Sequence, residues 1–67
     1  MIICFDISGT PLKLRDYVTI LTGRNRGKEG FIKAYQEGVC YVETDEDVVI
    51  IAPQQIRFKE RVEVLHG

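Results

Sequence analysis

The chain of 67 residues contains only two cysteines and one histidine, which argues against several kinds of protein. Cys4 and Cys40 each stand alone in an apolar run. We predict that both are buried, reduced thiols, with a disulfide between them as the alternative. A disulfide-rich secreted scaffold has a denser set of cysteines. No metal site is expected, because zinc needs about four clustered ligands and His66 is the only histidine.

The chain also lacks a catalytic arrangement of side chains. His66 lies beside the last residue, the carboxylates cluster in one turn-like segment, and no nucleophile stands with a base. A chain this short leaves little buried volume for a deep pocket. We therefore expect a protein that is not an enzyme, with no cofactor and no small-molecule substrate.

Long hydrophobic runs are missing as well. The apolar start, MIICF (1–5), has no basic region before it and no small-residue cleavage site after it, unlike a signal peptide. No run approaches the roughly 20 apolar residues of a membrane span. We expect a cytoplasmic protein, complete from Met1, with no membrane partner.

Short apolar runs separated by Gly, Pro and acidic residues make up most of the chain. Their Val, Ile, Tyr, Phe and Thr content is typical of β-strands, and PQQI (53–56) fits a single helical turn that begins at a proline. Closure into a small barrel would remove exposed sheet edges, so we predict one all-β domain spanning residues 1–67. The runs are IICFDI (2–7), DYVTIL (16–21), GFIKAY (30–35), VCYVET (39–44), VVIIA (48–52), IRF (56–58) and RVEVL (61–65).

Alternation within these runs predicts which side chains face the core. Ile32 and Ala34 should face inward because Lys33 faces outward, and Val62 and Val64 should do so because Glu63 is charged. The run VVII shows no alternation, which suits a strand buried on both faces. We expect residues 2–7 to form an extra strand that pairs antiparallel with residues 61–65. The predicted core comprises Val18, Ile20, Ile32, Val42, Ile50 and Ile56.

Charge is segregated along the chain although the net charge is only −1. Residues 12–33 carry six basic and two acidic residues, whereas residues 37–47 carry five acidic residues and no basic one. The local field therefore matters more for partners than the net charge does.

The stretch LTGRNRGKEG (21–30) concentrates this basic charge in a loop that follows a predicted strand. Gly23 and Gly27 can adopt positive φ, as a long hairpin loop requires, and Gly30 predicts a bulge or a close backbone approach. Arginine and lysine beside accessible backbone N–H groups suit an anionic oxygen such as that of phosphate. A solvated surface loop is the alternative on local chemistry alone.

The order of residues in RDYVTILTGRNRGKEGFIK (15–33) resembles the KOW motif, and EGVCYVE (37–43) fits the next strand of that family. The motif runs basic-Asp-x-Val-x-Val/Ile-Leu-Thr-Gly and then basic-polar-basic-Gly-Lys-x-Gly-x-Val/Ile-Lys. The chain agrees with it at Asp16, Val18, Ile20, Leu21, Thr22, Gly23, Arg24, Arg26, Gly27, Lys28, Gly30, Ile32 and Lys33.

This resemblance implies a five-stranded SH3-like barrel, as in KOW domains of a large-subunit ribosomal protein and of NusG- and Spt-type elongation factors. In the ribosomal family the loop contacts RNA, and in the elongation factors KOW domains often bind proteins. The acidic segment TDEDVVII and the additional N-terminal run favour a stand-alone KOW protein over a ribosomal protein. The contact residues that it implies are Thr22, Gly23, Arg24, Asn25, Arg26, Gly27 and Lys28, with Lys33 beside them.

Two functions follow as expectations. The first is a module that contacts RNA, or DNA, through the loop at 22–28, with Tyr17 and Phe31 as candidates for base stacking. Packing at the edge of the barrel is the alternative for these two rings. The second is a module that binds a protein of the transcription or translation machinery through the same loop and the acidic turn at 43–47. A contiguous positive face would favour nucleic acid, and a basic loop beside the acidic turn would favour a protein.

Overall fold

The computed structural model describes residues 1–62, and these form an all-β structure with one short 3-10 helix. This confirms the all-β prediction and the single helical turn that begins at Pro53. The strands are β1 (Cys4–Phe5), β2 (Pro11–Leu12), β3 (Tyr17–Ile20), β4 (Glu29–Gln36), β5 (Val39–Glu43), β6 (Val48–Ile51) and β7 (Ile56–Glu60), and the 3-10 helix is Pro53–Gln55.

Five of the strands form one antiparallel sheet in the order β6–β5–β4–β3–β7. Strands β3 to β6 follow one another as a meander, in which Tyr17 lies opposite Phe31 and Val42 lies opposite Val49. Strand β7 then pairs with the free side of β3, where Ile20 lies opposite Ile56. The basic loop at 22–28 therefore joins the central strand β4 to its neighbour β3.

The core lies on one face of this sheet and confirms most of the predicted inward positions. Strand β6 is one exception: its burial alternates, so Val49 and Ile51 are buried whereas Ile50 is 61% exposed. The prediction that Ile50 lies in the core is therefore wrong, as is the suggestion that both faces of VVII are buried. The buried hydrophobic residues are Cys4, Leu12, Val18, Ile20, Ile32, Cys40, Val42, Val49, Ile51 and Ile56.

A bulge in β4 changes which side chains face the core. Ile32 lies opposite Val42, but Ala34 lies opposite Tyr41, so Lys33 is an extra residue without its own partner. An extra residue shifts the following side chains to the other face. Tyr35, and not the predicted Ala34, consequently packs against the core.

The first residues form a hairpin rather than a strand of the main sheet. Cys4 lies opposite Leu12 and Phe5 opposite Pro11, in a separate two-stranded sheet. As far as the structure describes the chain, this hairpin replaces the expected pairing of residues 2–7 with residues 61–65. Residues 63–65 lie outside the described residues, and so does the predicted inward position of Val64. Val62 is 59% exposed, so its predicted inward position is wrong.

Asp6 fastens this hairpin to the main sheet. Its Oδ1 accepts hydrogen bonds from the backbone N–H groups of Ser8 (2.8 Å) and Thr10 (2.9 Å), which closes the hairpin turn. Its Oδ2 accepts a bond of 2.7 Å from the backbone N–H of Phe58 on β7. The backbone N–H of Ile7 also donates to the carbonyl of Ile56 at 3.1 Å. The hairpin is thereby held beside the start of β7.

Candidate binding surface

The basic loop at 22–28 is a folded turn in which three backbone N–H groups bond within the chain. Gly23 and Gly27 have φ of 76° and 90°, which confirms their predicted role in the backbone. The N–H groups of Arg26, Gly27 and Lys28 donate to the carbonyls of Gly23, Ile20 and Asn25 at distances of 3.2, 2.8 and 3.0 Å. These three donors are used internally and are not available to a ligand, so the cationic side chains of the loop are its main candidates for binding.

The three cations of the basic loop are not equivalent. Arg24 and Arg26 are exposed and form no ion pair among the described residues. Lys28 is half-buried, and its Nζ lies 3.5 Å from Oε1 of Glu46. The arginines are therefore available to a partner, whereas the lysine already faces a carboxylate of the acidic turn.

The acidic turn at 43–47 is held firmly beside the basic loop. Its own fold is fixed by Thr44, whose N–H donates to the carbonyl of Asp47 at 2.8 Å and whose Oγ1 accepts from the N–H of Asp47 at 3.2 Å. Glu43 lies opposite Phe31 in the β4–β5 ladder, and its carbonyl approaches Gly30 so closely that no Cβ would fit there. The acidic turn thus borders the first residues of β4, where the basic loop ends.

Further charges lie on the opposite side of the basic loop, towards β7. Oγ1 of Thr19 donates to Oε2 of Glu29 at 3.2 Å, and Nζ of Lys59 donates to the same oxygen at 2.6 Å. This ammonium lowers the pKa of Glu29, and Glu29 in turn raises the pKa of Lys59. Arg57, which is exposed, lies opposite Thr19 on β7. Sequence reasoning missed Arg57 because only the pairing of β3 with β7 brings it near the loop.

Tyr17 and Phe31 lie along the strands rather than at the loop. Their ring centroids are 4.7 Å apart in an edge-on arrangement, and Nζ of Lys59 lies 5.9 Å from the centroid of Tyr17. Tyr17 is half-buried, whereas Phe31 is 43% exposed. Of the two stacking candidates, Phe31 offers the more accessible ring.

Lys33 also lies along a strand and is separated from the basic loop. It follows Glu29 by four residues on β4, a distance of about 13 Å along a strand. There it borders an open groove of about 570 Å³ that is also lined by Leu14, Arg15, Phe31 and Val62. The structure therefore places Lys33 apart from residues 22–28, whereas Phe31 borders both the groove beside Lys33 and the acidic turn.

Buried side-chain nitrogen and oxygen atoms in the described part of the chain are all hydrogen-bonded. Two of these buried residues are carboxylates, Asp6 and Asp16. Oδ1 and Oδ2 of Asp16 accept bonds of 2.8 and 3.0 Å from the guanidinium of Arg61. Oδ2 also accepts a bond of 2.8 Å from the backbone N–H of Lys13. Asp16 and Asp6 thus stabilise the fold and do not face an empty site.

Within residues 1–62, no three side chains of His, Cys, Asp or Glu are grouped so that they could hold a metal ion. None of the helical segments in this range has the length and apolar character needed to span a membrane. No protein-family model matches the chain, and no curated protein matches its sequence. The KOW resemblance of residues 15–43 accordingly stays a prediction.

Proposed function

We propose that the protein is a non-catalytic binding module with a KOW-type, SH3-like barrel, and that its charged loop end binds a protein of the transcription or translation machinery.

The barrel is supported by the connection between β6 and β7, which lie at opposite edges of the strand order. In a flat sheet these edges would be about 19 Å apart. The steps from Ile51 to Ile56 reach at most about 18 Å when extended, and Pro53–Gln55 is helical and rises only about 2.0 Å per residue. A short connection of this kind needs a strongly curled sheet.

The observation that carries the choice of a protein partner is the contact between Lys28 and Glu46. It joins the end of the basic loop, which carries three cations, to the acidic turn, which carries four carboxylates. A polyanion that approached Arg24 and Arg26 would also meet the acidic turn, which repels it. A protein surface with separate acidic and basic patches can instead match both signs, which favours correct orientation and fast association.

RNA is the second candidate, supported by a different observation. Arg24, Arg26 and Arg57 are exposed, and no ion pair to another described residue engages them. Arginine binds phosphate oxygens in a bidentate manner. Three such contacts to single-stranded RNA would give a slope of log K against log salt of about −2.

The acidic turn distinguishes the two candidates, because its carboxylates would help one partner and hinder the other. We expect the double substitution Asp45→Asn, Glu46→Gln to reduce binding of a protein partner about three- to tenfold, since exposed charge pairs each contribute up to about 1 kcal/mol. The same change would strengthen RNA binding by removing repulsion. The measurements are quantitative affinity capture from nuclease-treated lysate and fluorescence anisotropy with a labelled RNA of about 12 nucleotides.

Glu37→Gln is the matched control, because Glu37 is an exposed carboxylate in the turn between β4 and β5. It should leave both measurements unchanged. Arg24→Ala with Arg26→Ala should weaken either kind of binding and so locates the site. The protein-binding proposal fails if nuclease removes every captured partner while the acidic-turn variant binds RNA more tightly than the unaltered chain.

A further inference from the structure

Two cysteines from distant parts of the chain meet in the core. Cys4 on β1 and Cys40 on β5 are separated by 36 positions in the sequence, and their Sγ atoms are 3.8 Å apart. Both are free thiols, and both belong to the buried hydrophobic cluster. A disulfide needs an S–S distance of about 2.05 Å, so the two sulfur atoms have to approach by less than about 2 Å.

The two thiols differ in how they can be reached. Cys40 is completely buried, whereas Cys4 is 8% exposed and sits in the two-residue strand of the hairpin. Burial raises the pKa of Cys40 to about 12 and also raises the pKa of Cys4. In the closed structure the dithiol is therefore protonated and slow to react, since the thiolate is the nucleophile. Opening of the hairpin would expose Cys4 first.

We propose that Cys4 and Cys40 form a redox-active dithiol, which a small-molecule disulfide oxidises to an intramolecular disulfide that ties the β1–β2 hairpin to the five-stranded sheet. In the first step the Cys4 thiolate attacks a sulfur of oxidised glutathione, which gives a mixed disulfide and one glutathione thiolate. In the second step the Cys40 thiolate attacks Sγ of Cys4 and displaces the second glutathione thiolate. The two protons lost by the cysteines go to the two glutathione thiolates, so the protein is oxidised and glutathione is reduced.

The structural consequence follows from how the hairpin is held. In the reduced protein it is fastened by the core contacts of Cys4 and Leu12, by Asp6 and by the Ile7–Ile56 hydrogen bond. The disulfide would add a covalent link between two residues that are 36 positions apart. This link closes a loop and so restricts the conformations of the unfolded chain. The melting temperature should then rise by on the order of 10 °C.

The test is to equilibrate the folded protein with oxidised glutathione and to measure intact mass, peptide map and melting temperature. We expect a monomer lighter by the mass of two hydrogen atoms, a cross-linked peptide that joins Cys4 to Cys40, and a higher melting temperature that reverts on reduction. Hydrogen exchange at the backbone N–H groups of Ile3 and Asp6, which bond across the hairpin, should become slower. Free thiols after equilibration, glutathione on both cysteines, or covalent dimers as the main product would overturn the proposal.

Two single variants test the order of the steps. Cys40→Ala should stop at a mixed disulfide on Cys4, because the second thiol is absent. Cys4→Ala should leave Cys40 unmodified in the folded protein, because that side chain is completely buried. Rapid modification of Cys40 in the folded Cys4→Ala variant contradicts the proposed order. The mass of the oxidised unaltered chain decides the proposal even where a variant does not fold.

Discussion

Gly30 occupies a position in β4 where no side chain fits. A Cβ there would collide with the carbonyl oxygen of Glu43 and would lie 2.7 Å from its carbonyl carbon. Both are backbone atoms of the neighbouring strand, so relief requires β4 and β5 to separate. We therefore expect Gly30→Ala to lower the free energy of unfolding by about 3 kcal/mol, measured by urea denaturation.

Gly9→Ala is the matched control, since Gly9 is favoured by its backbone conformation and not by a close contact. Gly9 has φ of 80°, but a Cβ added there would meet no atom within 4 Å beyond its chain neighbours. Its substitution should cost only the strain of a left-handed conformation, about 1 kcal/mol. Equal effects of the two substitutions would show that the approach of Glu43 does not limit the space at Gly30.

The roles of single residues were predictable where the cause is local. Positive φ at Gly23 and Gly27 and the close approach at Gly30 follow from glycine placed around a hairpin loop. The role of Asp6 was not predictable, because its bond to the N–H of Phe58 spans 52 positions. The same holds for Asp16, whose partner Arg61 is 45 positions away. Only the fold brings such pairs together.

At the scale of the element, strand β6 shows what an alternation pattern cannot reveal. Val48, Val49, Ile50 and Ile51 are all apolar and β-branched, so their sequence carries no sign of which face is buried. The pairing with β5 decides it: Cys40 and Val42 face the core, and their partners Ile51 and Val49 do so too. The bulge at Lys33 cannot be predicted from the sequence either, since nothing in GFIKAY distinguishes an extra residue from a paired one.

Two adjacent isoleucines of β6 provide a direct test of this assignment. Ile50→Lys places a charge on the exposed face and should change the free energy of unfolding by less than about 1 kcal/mol. Ile51→Lys buries an ammonium among apolar side chains, which costs several kcal/mol. A domain of this size is stable by only about 3–10 kcal/mol, so we expect Ile51→Lys to be largely unfolded. Circular dichroism and urea denaturation measure both.

The same pair also bears on the edge of the sheet. Strand β6 is an edge strand that contains no charged residue or proline, and such edges promote association between chains. Ile50→Lys should therefore lower any self-association seen by light scattering at high concentration. A strong loss of stability in Ile50→Lys, or a folded Ile51→Lys, would contradict the assigned faces.

At the scale of the whole molecule, the segregation of charge could be predicted but its arrangement could not. The basic and acidic segments are evident in the linear sequence, and the residues at 22–28 stay together because they are contiguous. Their contact with the acidic turn arises from the β4–β5 ladder, which places Glu43 opposite Phe31. Lys33 lies away from the loop because strand geometry separates residues that are near in sequence, whereas Phe31 borders the acidic turn. The proposed site is therefore smaller and more dipolar than the motif implied.

Asp6 and Asp16 make the stability of the whole fold depend on acid pH. Burial raises the pKa of Asp6, but the hydrogen bonds from the N–H groups of Phe58, Thr10 and Ser8 outweigh it and hold the pKa below its ordinary value. Burial acts on Asp16 in the same direction, and there the guanidinium of Arg61 and the N–H of Lys13 outweigh it. Both carboxylates therefore bind protons less readily in the folded state than in the unfolded state.

The direction of the pH effect follows from this difference. With folded pKa values below the ordinary value of 3.8, the contribution of both groups is fully present above that pH. It is lost as the pH falls from there through the lower folded values, because the unfolded state then binds more protons. We expect the urea midpoint to be nearly constant between about pH 7 and 5 and to fall steeply below about pH 4.

Asp6→Asn measures how much of the acid-dependent loss of stability comes from the carboxylate that holds the hairpin. Both carboxylate oxygens of Asp6 accept hydrogen bonds, so an amide would direct its NH2 group at a backbone N–H donor and leave that donor unpaired. We expect a loss of about 2 kcal/mol at neutral pH. Because one of the two titrating groups is then gone, the stability of this variant should fall less steeply below about pH 4. A decline parallel to that of the unaltered chain would show that Asp6 does not contribute to acid unfolding, and Asp16 with Arg61 would then account for it.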